Sequence, residues 1–189
     1  MFLDRIIAAL RRATGLSPRA LSAPEALERD ADGAVVFRES AEIAASPETV
    51  YRLLDIAGHD HRWKRRGDTV EAIDAGRGLY RLTDKRLPDA PFIVQVTESV
   101  QNAVIATVTV GDGGAPIGAV SKSVSRYEIS PAPAGAAVTL VERAHFLAGL
   151  PEKQLRQHAH MMASGVRIDL FRLKEEAEKA DAQAMRAKG

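Results

Sequence analysis

The 189-residue sequence contains no cysteine. That absence excludes disulfides, thiolate zinc sites, iron–sulfur ligation and cysteine nucleophiles. An excess of one charge is also missing. The 26 basic and 25 acidic side chains leave a formal net charge of +1, without the concentrated basic surplus of a nucleic-acid binder. No apolar run approaches the ~20 residues that a membrane-spanning helix needs. The opening "MFLDRIIAALRRATG" departs from a secretory signal: Asp4 and Arg5 interrupt its apolar stretch, and the arginines follow that stretch. These are features expected of a cytoplasmic protein. Chemical motifs are equally scarce. "GDGGAPIG" lacks the Lys-Ser/Thr and the strand-to-helix setting of a phosphate loop. No G-x-S-x-G nucleophile elbow occurs. Aromatic residues make up only 5% of the chain, with a single tryptophan, Trp63.

Apolar residues make up 46%, enough to build a sizeable core. Leu3, Ile6, Ile7 and Leu10 form one stripe of a short basic N-terminal helix. Such a helix either docks on a protein surface or makes a weak membrane-surface contact. Residues 15–33 carry two prolines and scattered charge and read as a linker, with a brief helix at most in "PEALER". The chain therefore divides into an N-terminal helix and linker (1–33), a main domain (34–180) and a polar tail (181–189).

In "AVVFRESAEI", Val35, Phe37, Glu39, Ala41 and Ile43 share one face of a strand. Ser46 is placed to N-cap a helix with Pro47 at its first position. Val50, Leu53, Leu54 and Ala57 would form its buried side, and Gly58 its stop. Six further strands follow: "DTVEAID", "GLYRLTD", "FIVQVTESV", "AVIATVTVG", "SVSRYEIS" and "AAVTLVERAHF". The separators, such as "LPDAP" and "PAPAG", are turn material, so successive strands should pair antiparallel. After Pro151, Leu155, Ala159, Met162, Val166, Leu170 and Leu173 make a helical stripe of about five turns. Past Leu173 the sequence is helix-prone but polar, and its outer half is expected to fray or project into solvent. Strands in one run with helices segregated from them indicate an α+β domain.

In its order of elements the chain resembles the SRPBCC, or START-like, superfamily, which includes polyketide cyclase/dehydratase-like proteins. "AEIAASPETVYRLLDI" resembles the first strand and capped helix, and "HDHRWKRR" the following segment. "RYEISPAPAGAAVTLVERAHF" resembles the last hairpin, and "LRQHAHMMASGVRIDLFRLKEEAE" the closing helix. The resemblance covers about residues 34–180. It implies a helix-grip fold: a curved antiparallel sheet of about seven strands wrapped around a long C-terminal helix, with two short helices after the first strand. It also implies a cavity for a small hydrophobic ligand between sheet and helix. On the predicted inward faces, Trp63, Tyr80, Phe92, Val94, Tyr127 and Met162 are the expected ligand contacts.

Three side chains are candidate acid–base groups if the protein is an enzyme. Glu39 and Glu142 sit on inward faces of the first and last strands, and a desolvated carboxylate can act as acid or base. The alternative is that one or both pair with Arg81, Arg126 or Arg143, or reach water at the cavity mouth. His158 lies beside the buried stripe of the last helix. Ser121, Ser123 and Ser125 alternate with Tyr127 and would either orient a ligand head group or lie in water. His59 and His61, with Asp60 between them and Asp55 one turn earlier, could gather imidazole and carboxylate ligands. A short H-D-H loop is common, however, and neither a metal nor a cofactor is expected. Three functions remain open: hydrophobic-ligand binding or transport, a polyketide cyclase/dehydratase-like enzyme, and a protein- or membrane-interaction module. No nucleic-acid partner is expected, and the oligomeric state is not determined by sequence.

Overall fold

Alternating apolar and polar residues make strands that can bury one face, and seven such strands form the sheet. In the computed structural model, residues 27–58, 69–84 and 88–188 are described. The strands are β1 (Val35–Ile43), β2 (Thr69–Asp74), β3 (Leu79–Thr83), β4 (Phe92–Val100), β5 (Val104–Gly111), β6 (Val120–Ala132) and β7 (Gly135–Phe146). All pair antiparallel in the order β1-β7-β6-β5-β4-β3-β2. Register shifts at Ala72/Asp74, Val96/Glu98 and Val120/Lys122 interrupt the ladders. Bulges of this kind sharpen twist and curve a sheet. The β6–β7 hairpin turns tightly against the end of β1. Gly135 has φ 142°, and a Cβ there would lie 2.6 Å from the carbonyl oxygens of Ile43 and Ala45, so only glycine fits without displacement.

Helix α1 (Pro47–Leu54) begins as its sequence dictates: the Ser46 side chain accepts the Thr49 N–H, and proline occupies the first turn. Its end differs from the expected one. Asp55 turns extended and its N–H closes on Tyr51 O. A 3₁₀ turn, Ile56–Gly58, follows, which buries Ile56 and leaves Ala57 exposed. Thr49, Val50, Leu53 and Leu54 are the buried residues of α1.

Helix α2 (Glu152–Lys188) runs unbroken for 37 residues. Leu155, Ala159, Ala163, Val166, Leu170, Leu173 and Ala177 are buried, packing with Phe37, Val138, Leu140 and Ile129 in the main core. The helix stays docked past Leu173, as far as Asp181. Glu178 accepts the Ala44 N–H at 3.0 Å. Asp181 accepts the Thr49 hydroxyl at 2.8 Å and lies 3.3 Å from the Ser46 hydroxyl. Only residues 182–187 are uniformly exposed. A second apolar cluster, Ile56, Tyr80 and Val94 flanked by Val70, Leu82 and Val96, lies at the β2–β4 end of the sheet. Among the described residues no helix is long and apolar enough to cross a membrane. The expected N-terminal helix, and Trp63 with the His59–Asp60–His61 segment, lie outside the described residues.

Candidate functional site

Pairing register decides which side chains share the concave face. Phe37 is opposite Glu142, Glu39 opposite Leu140, Ser125 opposite Glu142, and Tyr127 opposite Leu140. Directly paired residues point to one side. Ser125, Tyr127, Leu140, Glu142 and Phe146 therefore form a continuous patch on β6 and β7. The N-terminal half of α2 stands over that patch without filling the gap. The result is a cleft of about 460 Å³, lined by these residues, by Ile117–Val120 on one rim, and by His158, Met161, Met162, Gly165, Val166 and Asp169 of the helix.

Helical spacing explains the α2 wall. His158, Met162, Gly165 and Asp169 step by 4, 3 and 4 residues, a second stripe beside the core stripe. Gly165 leaves that wall open, since a Cβ built there meets nothing within 4 Å. The apolar walls come from Leu140, Phe146, Val120, Val166 and the two methionines, whose flexible thioethers adapt to varied shapes. Met162 is half-buried against the core, and Met161 is 43% exposed.

The polar groups gather on the sheet side. Glu142 is 7% exposed and accepts a 2.5 Å hydrogen bond from the Ser125 hydroxyl. Burial holds the Tyr127 hydroxyl well above the ordinary tyrosine range, and the charges of Asp169 and Glu142 push it further in the same direction. Tyr127 is thus a neutral phenol, able to give or take a hydrogen bond. A buried carboxylate, a hydroxyl and a phenol beside an imidazole can orient a polar group or move a proton.

Other sequence candidates sit elsewhere. Glu39 shares the concave face with Glu142 but is ion-paired with Arg167 of α2. None of the three arginines considered from sequence reaches it. Arg81 faces Glu71 and Asp112, Arg126 bridges Glu98 and Glu128, and Arg143 faces Asp30. Arg126 and Arg143 are adjacent in sequence to cleft residues, so strand alternation sends them to the convex side. Tyr80, Phe92 and Val94 share the concave side, paired along β3 and β4, but lie outside the cleft lining. Ser121 falls at the bulge, and its hydroxyl bonds to the His145 carbonyl oxygen at 2.9 Å, so only Ser125 of the three serines lines the cleft. His145 is half-buried and borders a smaller cleft of about 320 Å³. Asp169 was not singled out from sequence, although its position in the second α2 stripe is the signal that marks it. Among the described residues, no group of three or more His, Asp or Glu side chains could hold a metal ion.

A family model described as polyketide cyclase/dehydrase and lipid transport matches residues 34–178. No curated protein matches the sequence significantly. Among solved structures, a START superfamily protein of Mycobacterium smegmatis is 21% identical, with 75% of this chain covering 97% of that one at a TM-score of 0.53. Ara h 8.0201 is 13% identical, with coverages of 78% and 99% and a TM-score of 0.57. DynU16, from the dynemicin biosynthetic locus, is 12% identical at a TM-score of 0.56, and 77% of this chain covers 48% of that protein. At these identities the likeness establishes the helix-grip fold.

Proposed function

Since the chain belongs to the polyketide cyclase/dehydrase and lipid-transport family, we propose that it binds and carries a small, mainly apolar molecule in the cleft between β6, β7 and α2. The observation that carries this reading is the cleft itself, about 460 Å³ with mainly apolar walls and polar groups gathered on one side. Ligand sites of this kind span roughly 300–1,000 Å³ and use a few polar groups to fix orientation. Tyr127 and Met162 supply contact area, and Ser125, Glu142 and His158 orient the polar end. Tyr80, Phe92 and Val94 extend the apolar floor for a longer molecule, and Trp63 is the expected closing contact.

Native mass spectrometry of the protein purified from its own host tests the reading. The expected result is a retained small molecule, lost from a Gly165→Leu variant that melts like the wild type, because the new side chain enters open space in the cleft. Retention of the same mass by that variant would place the cargo elsewhere and sink the proposal.

The burial of Glu142 beside Ser125 and Tyr127 favours a second reading, cyclisation or dehydration of a polyketide-like substrate, with Glu142 as the acid–base group. In that case the bound molecule loses the mass of one water on dehydration, or keeps its mass but changes its absorbance and chromatographic retention on cyclisation alone, and Glu142→Gln stops the change while leaving binding measurable. A cargo that remains chemically unchanged counts against catalysis and leaves carriage standing.

A further inference from the structure

Two hollows meet at one residue. The cleft of about 460 Å³ runs along β7 from Leu140 past Glu142 to Phe146, the last residue of that strand. The smaller cleft of about 320 Å³ also borders Phe146, and among the described residues no other borders both. Phe146 is held in place from several sides. Val120 is its direct partner on β6, so the two side chains share the concave face. The next residue, Leu147, donates its N–H to the Ala119 carbonyl oxygen at 2.9 Å, and Phe146 itself packs against the main core. Beyond it the chain turns through residues 147–150, with Gly149 at φ 78°, into α2. The walls change character at the same point. They are mainly apolar up to Phe146, whereas the smaller cleft mixes Leu147, Leu150 and Leu155 with Arg29, Asp32 and His145.

We infer that Phe146 determines specificity by ending the cleft: its ring stops an apolar cargo near the start of α2 and keeps it out of the smaller hollow. This rests on the carrier reading above and sets a limit on the length of its cargo. A long molecule then extends the other way, across the sheet toward Tyr80 and Val94, rather than along β7. A phenyl ring fills a large volume, and neighbours refill the space only in part when it is removed. Phe146→Ala should therefore join the two hollows into one channel and admit chains that the wild type turns away.

The test uses the full chain, the fluorescent reporter N-phenylnaphthylamine, and unbranched primary alcohols from hexanol to dodecanol as competitors. Each newly buried methylene strengthens binding about fourfold. Hexanol should bind wild type and Phe146→Ala alike, whereas dodecanol should bind the variant at least about tenfold more tightly. A dodecanol carrying a diazirine on its terminal carbon locates the tail after irradiation, digestion and mass spectrometry. In the variant the label should appear on residues 29–33 or 147–150, and in the wild type it should not. Phe146→Leu, which keeps an apolar contact with the core, gives the same readouts with a smaller gain should Phe146→Ala not fold. A gain no larger for dodecanol than for hexanol overturns the inference and leaves a ligand-binding cleft intact. So does a longer-chain preference with the label still confined to the first cleft, because the ring would then have filled space without dividing it. Failure of the reporter to bind, or binding undiminished in Gly165→Leu, removes the carrier reading and this inference with it.

Discussion

Replacing Asp181 by alanine should destabilise the domain far more than its place in a polar helix end suggests. Its carboxylate accepts the Thr49 hydroxyl at 2.8 Å and the Ser46 hydroxyl at 3.3 Å, and the Ser46 N–H lies 3.5 Å away. Thr49 is only 8% exposed, so its hydroxyl loses a partner in a place that water reaches poorly. Ser46 also caps α1 by accepting the Thr49 N–H at 3.2 Å, and Asp181 orients that cap. Hydrogen bonds to a charged group contribute ~1.5–3 kcal/mol, and partial exposure of Asp181 argues for the lower half, about 2 kcal/mol. For a protein of this size that corresponds to a fall in Tm of roughly 4–8 °C. Urea unfolding followed by circular dichroism gives the free energy, and a thermal scan gives Tm. Asp181→Asn keeps one acceptor oxygen and should lose about half as much. Deleting residues 181–189 should cost the same as Asp181→Ala, because residues 182–187 are exposed. A loss under about 0.5 kcal/mol for Asp181→Ala, the range of an ordinary surface change, would refute the claim that this end of α2 is anchored.

Two other expectations follow from single residues. Tyr127 has its hydroxyl raised above the usual tyrosine range. The folded state thus holds that proton more tightly than the unfolded chain, whose tyrosines ionise near pH ~10. The stability this contributes is complete below that pH and is lost as pH rises through the folded value. Ultraviolet titration of the three tyrosines should therefore show one that ionises only as the protein unfolds; three ordinary titrations in the folded state would contradict the buried phenol. Gly135→Ala should cost more than about 2 kcal/mol, combining a disfavoured backbone angle with a clash against two carbonyl oxygens. Gly165→Ala, in open space on a helix, should instead stabilise by ~0.5–1 kcal/mol. Chemical denaturation of the two variants checks both signs, and a common sign would be inconsistent with the environments described.

Period and punctuation made most of the fold readable. Val35, Phe37, Glu39, Ala41 and Ile43 alternate over a strand that is half-covered, and Ser46–Pro47 marks a helix start through its own local capping bond. Long-range partners were much less readable. Ala57 fits the α1 period, but the chain leaves the helix at Asp55 to bury Ile56 against Tyr80 and Val94, a tertiary preference that overrides the repeat. Asp181 looks like solvated helix surface until the end of β1 carries Ser46 and Thr49 beneath it. Glu39 found its cation on α2, not on a strand, because the strand arginines alternate outward. The resemblance implied a hollow between the sheet and the closing helix, but not that it would lie over β6 and β7 and away from Tyr80, Phe92 and Val94. Met162 belongs to a stripe next to the core rather than to the core itself, and Ala163 takes the buried position. A bulge removed Ser121 from the serine row, and nothing in a strand's composition announces a bulge.

Because α2 is held at its far end through Glu178 and Asp181 and at mid-length by the Arg167–Glu39 pair, with Leu155, Ala159, Ala163 and Val166 packed into the core, the wall it gives to the cleft is braced along its length. Room beneath that wall is set by the side chains of the second stripe, above all by the one that Gly165 lacks. Reshaping the hollow is then a matter of exchanging single residues on a fixed beam.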